Sequence, residues 1–311
     1  MIRNWNVFCL SEAVSPITHM AGVAGNESLV MRGPVVTPRG VRWVPCLSGN
    51  AIRHRLVREP GVRWLIDQLG LRGNLTLPQL NYLFHGGNLT QGGGREDTRR
   101  IADMQRLFPL LRLLGGSLPD QIIPGSLLAQ QGLLVCEENR QTLTAVLPAG
   151  WELPSEALRP AESFVSGYQY TRGDARKQPG LAPIDEQKEG DSNLMIFSGQ
   201  QVTRGSFFVH GFTLQYCSEL ELGALLLSLD LWEQGGGTVG GQGARGHGKL
   251  RTWLHIDGDA SGALETYRAH VDAHADDCRR WLNGAFGVAA PSEGTELVQA
   301  KKPRGKKAVA T

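Results

Sequence analysis

The chain has 311 residues, 41% of them hydrophobic, which suffices for one large or two small globular domains. Its 32 basic and 30 acidic side chains leave a net charge of +2, so only a local basic cluster could hold a polyanion. Five scattered cysteines without CxxC spacing argue against a disulfide framework or zinc site, and no apolar run resembles a signal peptide or membrane span, so we expect a cytoplasmic protein.

The first segments have the patterns of β-strands. Residues 5–13 alternate with apolar side chains on both faces, which predicts a strand in the interior of a sheet. Residues 17–25 are small and predict a loop. Residues 28–36 and 40–44 predict extended segments on either side of the turn Thr37-Pro38-Arg39-Gly40, which has proline and glycine in reverse-turn positions.

A basic helix follows within residues 44–59, VPCLSGNAIRHRLVRE. Ser48 is the expected N-cap, because its hydroxyl can accept a hydrogen bond from the first turn. Arg53, Arg55 and Arg58 make the helix basic. Such charge runs are most often solvated helix faces, and contact with a phosphate backbone is the functional alternative.

The middle of the chain, residues 61–137, has mainly helical periodicity. Apolar residues recur at helical spacing in residues 62–71, 77–84 and 101–114, separated by glycine clusters. A second basic cluster is diluted by acidic residues and reads as a solvated helix; it consists of Arg95, Arg99, Arg100 and Arg106. Residues 133–146 predict a short hairpin.

Residues 163–205 form a polar stretch. Tyr168, Tyr170 and Arg172 are followed by Arg176 and Lys177 and then by an acidic run in residues 185–191. So long a connection is usually functional or disordered. Tyrosines interleaved with arginines suit base stacking and phosphate contact.

A strand, a helix, a loop and another strand follow in order. Residues 206–216 predict a strand with Phe208, Phe212 and Leu214 in the core. Ser218 and Glu221 form a capping box for an apolar helix over residues 219–233. Residues 249–256 again alternate as a strand.

Residues 235–249, here called the glycine loop, separate that helix from the last strand. Eight of the first fourteen are glycine, against a usual background of roughly 7%. The loop matches GxGxxG and GxxxxGK, but nucleotide-binding loops follow a strand and precede a helix, and this loop has the reverse order. Leu250 also stands where a nucleoside triphosphatase needs Ser or Thr after the lysine.

The C-terminal part predicts one amphipathic helix over residues 263–286. His270 and His274 have HxxxH spacing, but no third ligand is evident, so we expect neither a metal nor a cofactor. Residues 289–311 are polar and end in KKPRGKK, which predicts a disordered basic arm.

Two of these motifs together resemble the RAMP superfamily of CRISPR proteins. GGQGARGHGKL (residues 240–250) is similar to that family's C-terminal glycine-rich loop, and the hairpin with an apolar-Pro-x-x-Ser step into a basic helix is similar to its first helix. The resemblance implies an α+β fold with an RRM/ferredoxin-like antiparallel sheet core, a helical insertion and an extended thumb-like hairpin. The implied parts are residues 1–60 and 206–286 for the core, 61–162 for the helical insertion, 163–205 for the thumb and 287–311 for the tail.

The resemblance further implies a crRNA-binding backbone subunit of a class 1 CRISPR effector complex; the size, the thumb-like segment and the helical middle suggest type IV. Its expected partners are the guide RNA, a DNA or RNA target, further copies of itself and other effector subunits. The expected RNA-binding residues are Asn50, Arg53, Arg55, Tyr170, Arg172, Gly243, Arg245, Gly246, Gly248 and Lys249, with His19 and His247 as further candidates.

Catalysis is not expected. In some relatives an aspartate before the hairpin cuts RNA, whereas the matching stretch here, GVAGNESLVMRG, has only Asn26 and Glu27. The alternative is a metal-free endoribonuclease of the same superfamily that processes CRISPR repeat RNA and uses His19 or His54 as general acid or base.

Overall fold

A computed structural model of the protein describes residues 2–24, 27–89, 97–172 and 195–287. Within these ranges the chain forms three β-sheets and a set of packed helices. In chain order the strands are β1 (Arg3–Ala13), β2 (Met20–Ala24), β3 (Glu27–Val30), β4 (Arg32–Thr37), β5 (Gly40–Leu47), β6 (Gly116–Leu118), β7 (Gln121–Ile123), β8 (Leu127–Ala129), β9 (Gly132–Leu134), β10 (Val165–Arg172), β11 (Met195–Val202), β12 (Phe207–Cys217) and β13 (Leu250–Ile256).

The first helix runs without a break through three stretches, which are α1 (Gly49–Ile52), a π-helical stretch (Arg53–Arg58) and α2 (Glu59–Gln68). The remaining helices are α3 (Leu77–His85), α4 (Thr98–Leu107), α5 (Pro109–Leu114), α6 (Arg140–Val146), α7 (Glu219–Gln234), α8 (Ala263–Ala273) and α9 (Ala275–Ala285). Short 3-10 turns occur at Ser155–Ala157, Ala161–Phe164 and Gly243–Arg245. Among the helices described, none is both long and apolar enough to cross a lipid bilayer.

The main sheet has seven strands in the order β13-β1-β12-β9-β5-β4, with β8 paired to β12. Every pairing in it is antiparallel. The chain passes from β1 through a helix to β8 and β9, then to β12, α7 and β13, which is the split βαβ arrangement of ferredoxin-like folds. The predicted α+β fold with an antiparallel core is confirmed, as is the interior position of β1 between β12 and β13.

The core lies between this sheet and the helices. Trp5, Val7 and Cys9 alternate along β1 toward the buried face, and β12 contributes the predicted Phe208, Phe212 and Leu214 to the core. Helix α7 is buried along most of its length, and its capping box is present as predicted. Helices α2, α5 and α8 pack around it.

A second sheet has four strands in the order β10-β11-β3-β2. Strands β10 and β11, here called the thumb hairpin, pair antiparallel from Val165 opposite Val202 to Arg172 opposite Met195. Strand β11 also pairs with β3, in parallel. The extended hairpin predicted for this segment is thus present, while residues 173–194, with Arg176, Lys177 and the acidic run, lie outside the described residues.

Three local predictions are wrong. Residues 20–24 form β2 instead of a loop, because backbone hydrogen bonds to β3 do not require apolar side chains. Residues 133–146 form β9 and α6 instead of a hairpin, because β9 pairs with the distant β5 and β12. The single C-terminal helix is divided into α8 and α9 at His274, whose φ of −113° departs from helical geometry.

The helical middle of the chain is correctly predicted for α2 to α5, but its later part contains β6 to β9. Strand β9 inserts between β12 and β5 and so belongs to the main sheet. Of the remaining expectations, Arg95, Asn26 and the tail from residue 288 lie outside the described residues. The five-part division of the chain stays a prediction.

Candidate nucleic-acid interface

The glycine loop connects α7 to β13, and its beginning and end form backbone hydrogen bonds with each other. Its two limbs are joined by hydrogen bonds from Val239 N to Gly248 O (2.9 Å) and from Leu250 N to Gly237 O (2.8 Å). The indole N–H of Trp232 donates to Thr238 O at 2.9 Å. Because a helix precedes the loop and a strand follows it, the loop lacks the helix N-terminus on which nucleotide-binding loops hold phosphate.

The glycines of this loop differ in the space around the position that a side chain would occupy. At Gly248, φ is +87° and an added Cβ would lie 2.1 Å from Val239 O, so the other limb of the loop occupies the space. At Gly243 and Gly246 an added Cβ would meet nothing within 4 Å. Of the three predicted glycines, Gly243 and Gly246 therefore leave room for another molecule, whereas Gly248 is required by the loop itself.

One face of the loop packs on the segment before β2. Gly248 N donates to Pro16 O and Gly241 N donates to Thr18 O, both at 2.7 Å. The hydroxyl of Thr18, which is fully buried, lies 2.7 Å from Nδ1 of His247. Burial, and secondly the charge of Arg245, lower the pKa of His247 below its usual 6.5, so this imidazole is neutral at neutral pH.

The same segment connects the loop to the first helix. The residue after Thr18, His19, accepts a hydrogen bond from Ser48 N through its Nε2 (3.1 Å). Ser48 is the N-cap of α1, as predicted, and its hydroxyl accepts from Ala51 N at 3.1 Å. Asn50 is exposed in the first turn. Burial lowers the pKa of His19, so this ring also contributes no positive charge at neutral pH.

The other face of the loop contacts the thumb hairpin. The side-chain amide of Gln242 donates to the hydroxyl of Tyr168 at 2.6 Å. The guanidinium of Arg245 lies over the ring of Tyr170, 3.9 Å from its centroid, a cation–π contact. Phe197 on β11 extends the aromatic cluster, with its ring centroid 5.1 Å from that of Tyr170.

The three arginines of the first helix differ in their surroundings. Arg55 is exposed and pairs with Glu59 at 2.7 Å. Arg58 is 6% exposed and donates to main-chain carbonyl oxygens, including Leu83 O at 3.0 Å. Burial, and secondly the charge of Arg53, lower the pKa of Arg58 to about 10. Arg58 is therefore a structural residue, and Arg55 is available at the surface.

Arg53 is intermediate between these two. Its guanidinium donates to Leu114 O, which Arg58 also contacts at 3.4 Å. Residues five apart lie one turn apart in a π-helix, so the π-helical stretch places Arg53 and Arg58 side by side. Burial lowers the pKa of Arg53. The helical periodicity of the sequence does not reveal this, since it assumes an ordinary α-helix.

Within the described ranges, the exposed cations of the site that have no acidic partner are on the loop. Arg245 and Lys249 are both exposed, and no carboxylate of the described ranges lies within salt-bridge distance of either. A cleft separates the start of the loop from α2; Arg55, Pro60, Trp64, Trp232, Gly235 and Thr238 line it. The loop thus lies between the first helix and the thumb hairpin.

Other predicted residues lie elsewhere or cannot be placed. Arg172 pairs with Met195 at the end of the thumb hairpin, and only its backbone is described. His54 stacks on His85 with ring centroids 6.3 Å apart, and His270 lies beside His274 at 4.4 Å. Across the described part of the chain, no group of three or more His, Cys, Asp or Glu side chains is arranged to hold a metal ion.

Sequence reasoning missed Thr18, Gln242 and Phe197. Thr18 lies in no motif, and Gln242 stands at an unspecified position within the glycine-loop motif; the roles of both depend on partners that are remote in sequence. Phe197 could have been found from the register of the hairpin, since it lies directly opposite Tyr170.

The fold of the chain has a counterpart among solved structures. It is similar to a chain of a Type IV-B CRISPR complex, with a TM-score of 0.52 and 16% sequence identity over 81% of this chain and 90% of that chain. At this identity the similarity establishes the fold alone. No protein-family model matches the sequence, and no curated protein matches it.

Proposed function

We propose that this protein is an RNA-binding subunit of a CRISPR effector complex and that it holds the guide RNA by its sugar–phosphate backbone. The observation that carries the proposal is the convergence of the glycine loop, the first helix and the thumb hairpin on the segment from Pro16 to His19, which the thumb hairpin reaches through backbone hydrogen bonds between Val202 and Ile17. The fold similarity to a chain of a Type IV-B CRISPR complex supports it, as does the resemblance of both motifs to the RAMP superfamily.

The chemistry suits a ligand that must be held irrespective of its sequence. Arg245 and Lys249 supply positive charge for phosphates, and Arg55 and the partly buried Arg53 supply it from the first helix. Gly243 and Gly246 allow a backbone to come close. His19 and His247 are neutral and can contribute hydrogen bonds but not charge. Contacts of this kind position a polynucleotide without reading its bases.

Within this proposal the protein is a scaffold. Several copies bind along one guide, other effector subunits attach, and the guide is presented to a DNA or RNA target. No catalytic residue is assigned. The proposed type IV assignment draws on the thumb hairpin and on the fold similarity. His19, a candidate general base in the nuclease alternative, already uses Nε2 to accept the Ser48 amide, which favours a positioning role over proton transfer.

The test is the double variant Arg245→Ala/Lys249→Ala, compared with the charge-matched control Arg268→Ala/Arg280→Ala. The control arginines are exposed on α8 and α9, which pack against α7 and α4. RNA affinity is measured for several unrelated guide-length sequences over a range of salt. Each lost phosphate contact should reduce the slope of log K against log salt by about 0.7, so the loop variant should lose about 1.4 on every sequence.

Equal affinity and slope in the wild type and the loop variant would contradict the proposal. A control that loses as much as the loop variant would indicate a diffuse charge effect. Incubation of the wild type with CRISPR repeat RNA separates the two functions, because site-specific cleavage without added metal would indicate the endoribonuclease, and length-dependent multimers without cleavage would indicate the scaffold.

A further inference from the structure

The tip of the glycine loop is not supported by its own backbone alone. Gln242, where the tip begins, has φ of +59°, a left-handed conformation that is uncommon for residues other than glycine. Such conformations persist where surrounding contacts enforce them. Arg245 N and His247 N both donate to Gln242 O, at 2.8 and 3.3 Å, so the conformation of the tip depends on this residue.

The contact that holds Gln242 comes from the thumb hairpin. Its amide nitrogen donates to the Tyr168 hydroxyl at 2.6 Å, and its amide oxygen is buried without a partner in the described part of the chain. The Gln242 side chain thus loses conformational entropy to form one short hydrogen bond with a residue 74 positions away. The ring of His247 also meets that of Tyr168 edge to face, with centroids 5.7 Å apart.

The position of Tyr168 is determined by a glycine on the other strand of the hairpin. Gly199 lies opposite Tyr168 in the register, and a Cβ there would be 2.6 Å from the tyrosine hydroxyl oxygen. Glycine at 199 therefore lets the tyrosine side chain lie across β11. Gly167, on the same hairpin, is different, since a Cβ there would make only an ordinary contact with Gly199 O at 3.9 Å.

We propose that Tyr168 is a positioning residue, which holds the glycine loop through Gln242 in the conformation that presents Arg245 and Lys249 to RNA. This inference rests on the proposed function. It assigns the tyrosine hydroxyl, and not the stacking surface of its ring, as the part that matters. If Tyr168 instead bound RNA by stacking on a base, replacing it with phenylalanine would leave RNA affinity unchanged, because phenylalanine offers the same ring to a base.

The decisive variant is Tyr168→Phe, which removes only the hydroxyl. A neutral hydrogen bond contributes roughly 0.5–1.5 kcal/mol, so RNA affinity should fall about two- to tenfold. The salt dependence should stay unchanged, because no phosphate contact is lost. Gln242→Asn keeps an amide that tolerates left-handed backbone but shortens the side chain, and it should have the same effect. The double variant should be no weaker than either single variant, since all three lack one bond.

Gly199→Ala provides a second route to the same result, because it displaces the tyrosine, and Gly167→Ala is its matched control. Hydrogen exchange of the Arg245, Gly246 and His247 amides in the free protein should be about two- to tenfold faster in Tyr168→Phe and unchanged in Gly167→Ala.

Wild-type affinity and wild-type exchange in Tyr168→Phe would overturn the inference, as would additive losses in the double variant. If the wild type itself fails to bind RNA, the proposed function fails, and the exchange measurement alone then decides whether Tyr168 positions the loop.

Discussion

Replacing Gly248 with alanine should distort the glycine loop more than the same replacement at Gly243 or Gly246. The new Cβ would lie 2.1 Å from Val239 O, far inside van der Waals contact. Neither backbone can move freely, because Val239 N donates to Gly248 O and Gly248 N donates to Pro16 O. The substitution therefore strains both the loop and its attachment to the segment before β2.

The magnitude has two parts. A left-handed residue other than glycine costs roughly 1–2 kcal/mol, and Gly248 has φ of +87°. Overpacking a close contact costs roughly 1–3 kcal/mol more. We expect the free energy of unfolding to fall by about 2–5 kcal/mol, or the loop to detach and RNA affinity to fall with it.

Two other loop glycines are matched controls. Gly246 has φ of +83° but open space at its Cβ, so Gly246→Ala should show only the backbone strain, about 1–2 kcal/mol. Gly243 has neither restriction, and Gly243→Ala should stay within about 0.5 kcal/mol of the wild type. Urea unfolding and RNA titration of the three variants test this order. A Gly248→Ala protein that matches Gly243→Ala in both assays would refute the reasoning.

Three further predictions concern the fold. Burial lowers the pKa of His210 from 6.5 in the unfolded chain to about 4 in the folded protein, so between these pH values the unfolded chain binds a proton that the folded protein does not. The free energy of unfolding should therefore fall as pH drops from 6.5 to 4, by about 3 kcal/mol in total. Urea unfolding along a pH series should show a smaller pH dependence for His210→Gln than for the wild type. Arg58→Met should lower the free energy of unfolding by about 3 kcal/mol, because buried carbonyl oxygens lose their hydrogen-bond donor. Arg55→Ala should lower it by less than about 0.5 kcal/mol, because its ion pair is exposed. Equal losses in thermal unfolding would contradict the assignment of Arg58 as structural. Ser218→Ala should cost about 1 kcal/mol by removing the cap of α7, which a fluorescence-monitored denaturant midpoint can detect, and an unchanged midpoint would count against the cap.

Local features were the most predictable part of the fold. The turn at Thr37-Pro38-Arg39-Gly40, the cap at Ser48 and the capping box of α7 were all correctly placed from sequence. Each depends on residues within four positions of one another, so the pattern that encodes the feature is contiguous. The strand β1 was equally readable, because every second residue along it lies in the core.

Features that depend on distant partners were not predictable. Strand β9 lies in the main sheet because β5 and β12 flank it, and its three residues have no distinctive periodicity of their own. The division between α8 and α9 at His274 likewise had no proline or glycine to announce it.

The candidate site shows the same contrast. Its glycine content and its two exposed cations were evident from sequence, and so was the order of helix, loop and strand that excludes a nucleotide-binding loop. The sequence did not show that Arg58 faces main-chain carbonyls while Arg55 faces solvent, because a π-helical stretch changes which residues share a face.

By itself, then, the sequence determined most of the elements and the chemical character of the loop, since propensities, caps and alternation act over a few residues. Only the tertiary structure decided what that loop rests on. The hydrogen bonds from Gln242 to Tyr168 and from Gly241 to Thr18 join segments that are 74 and more than two hundred positions apart. Hydrogen bonds of this kind carry no local signal, because any backbone amide or side-chain hydroxyl can form them once folding has brought it within reach.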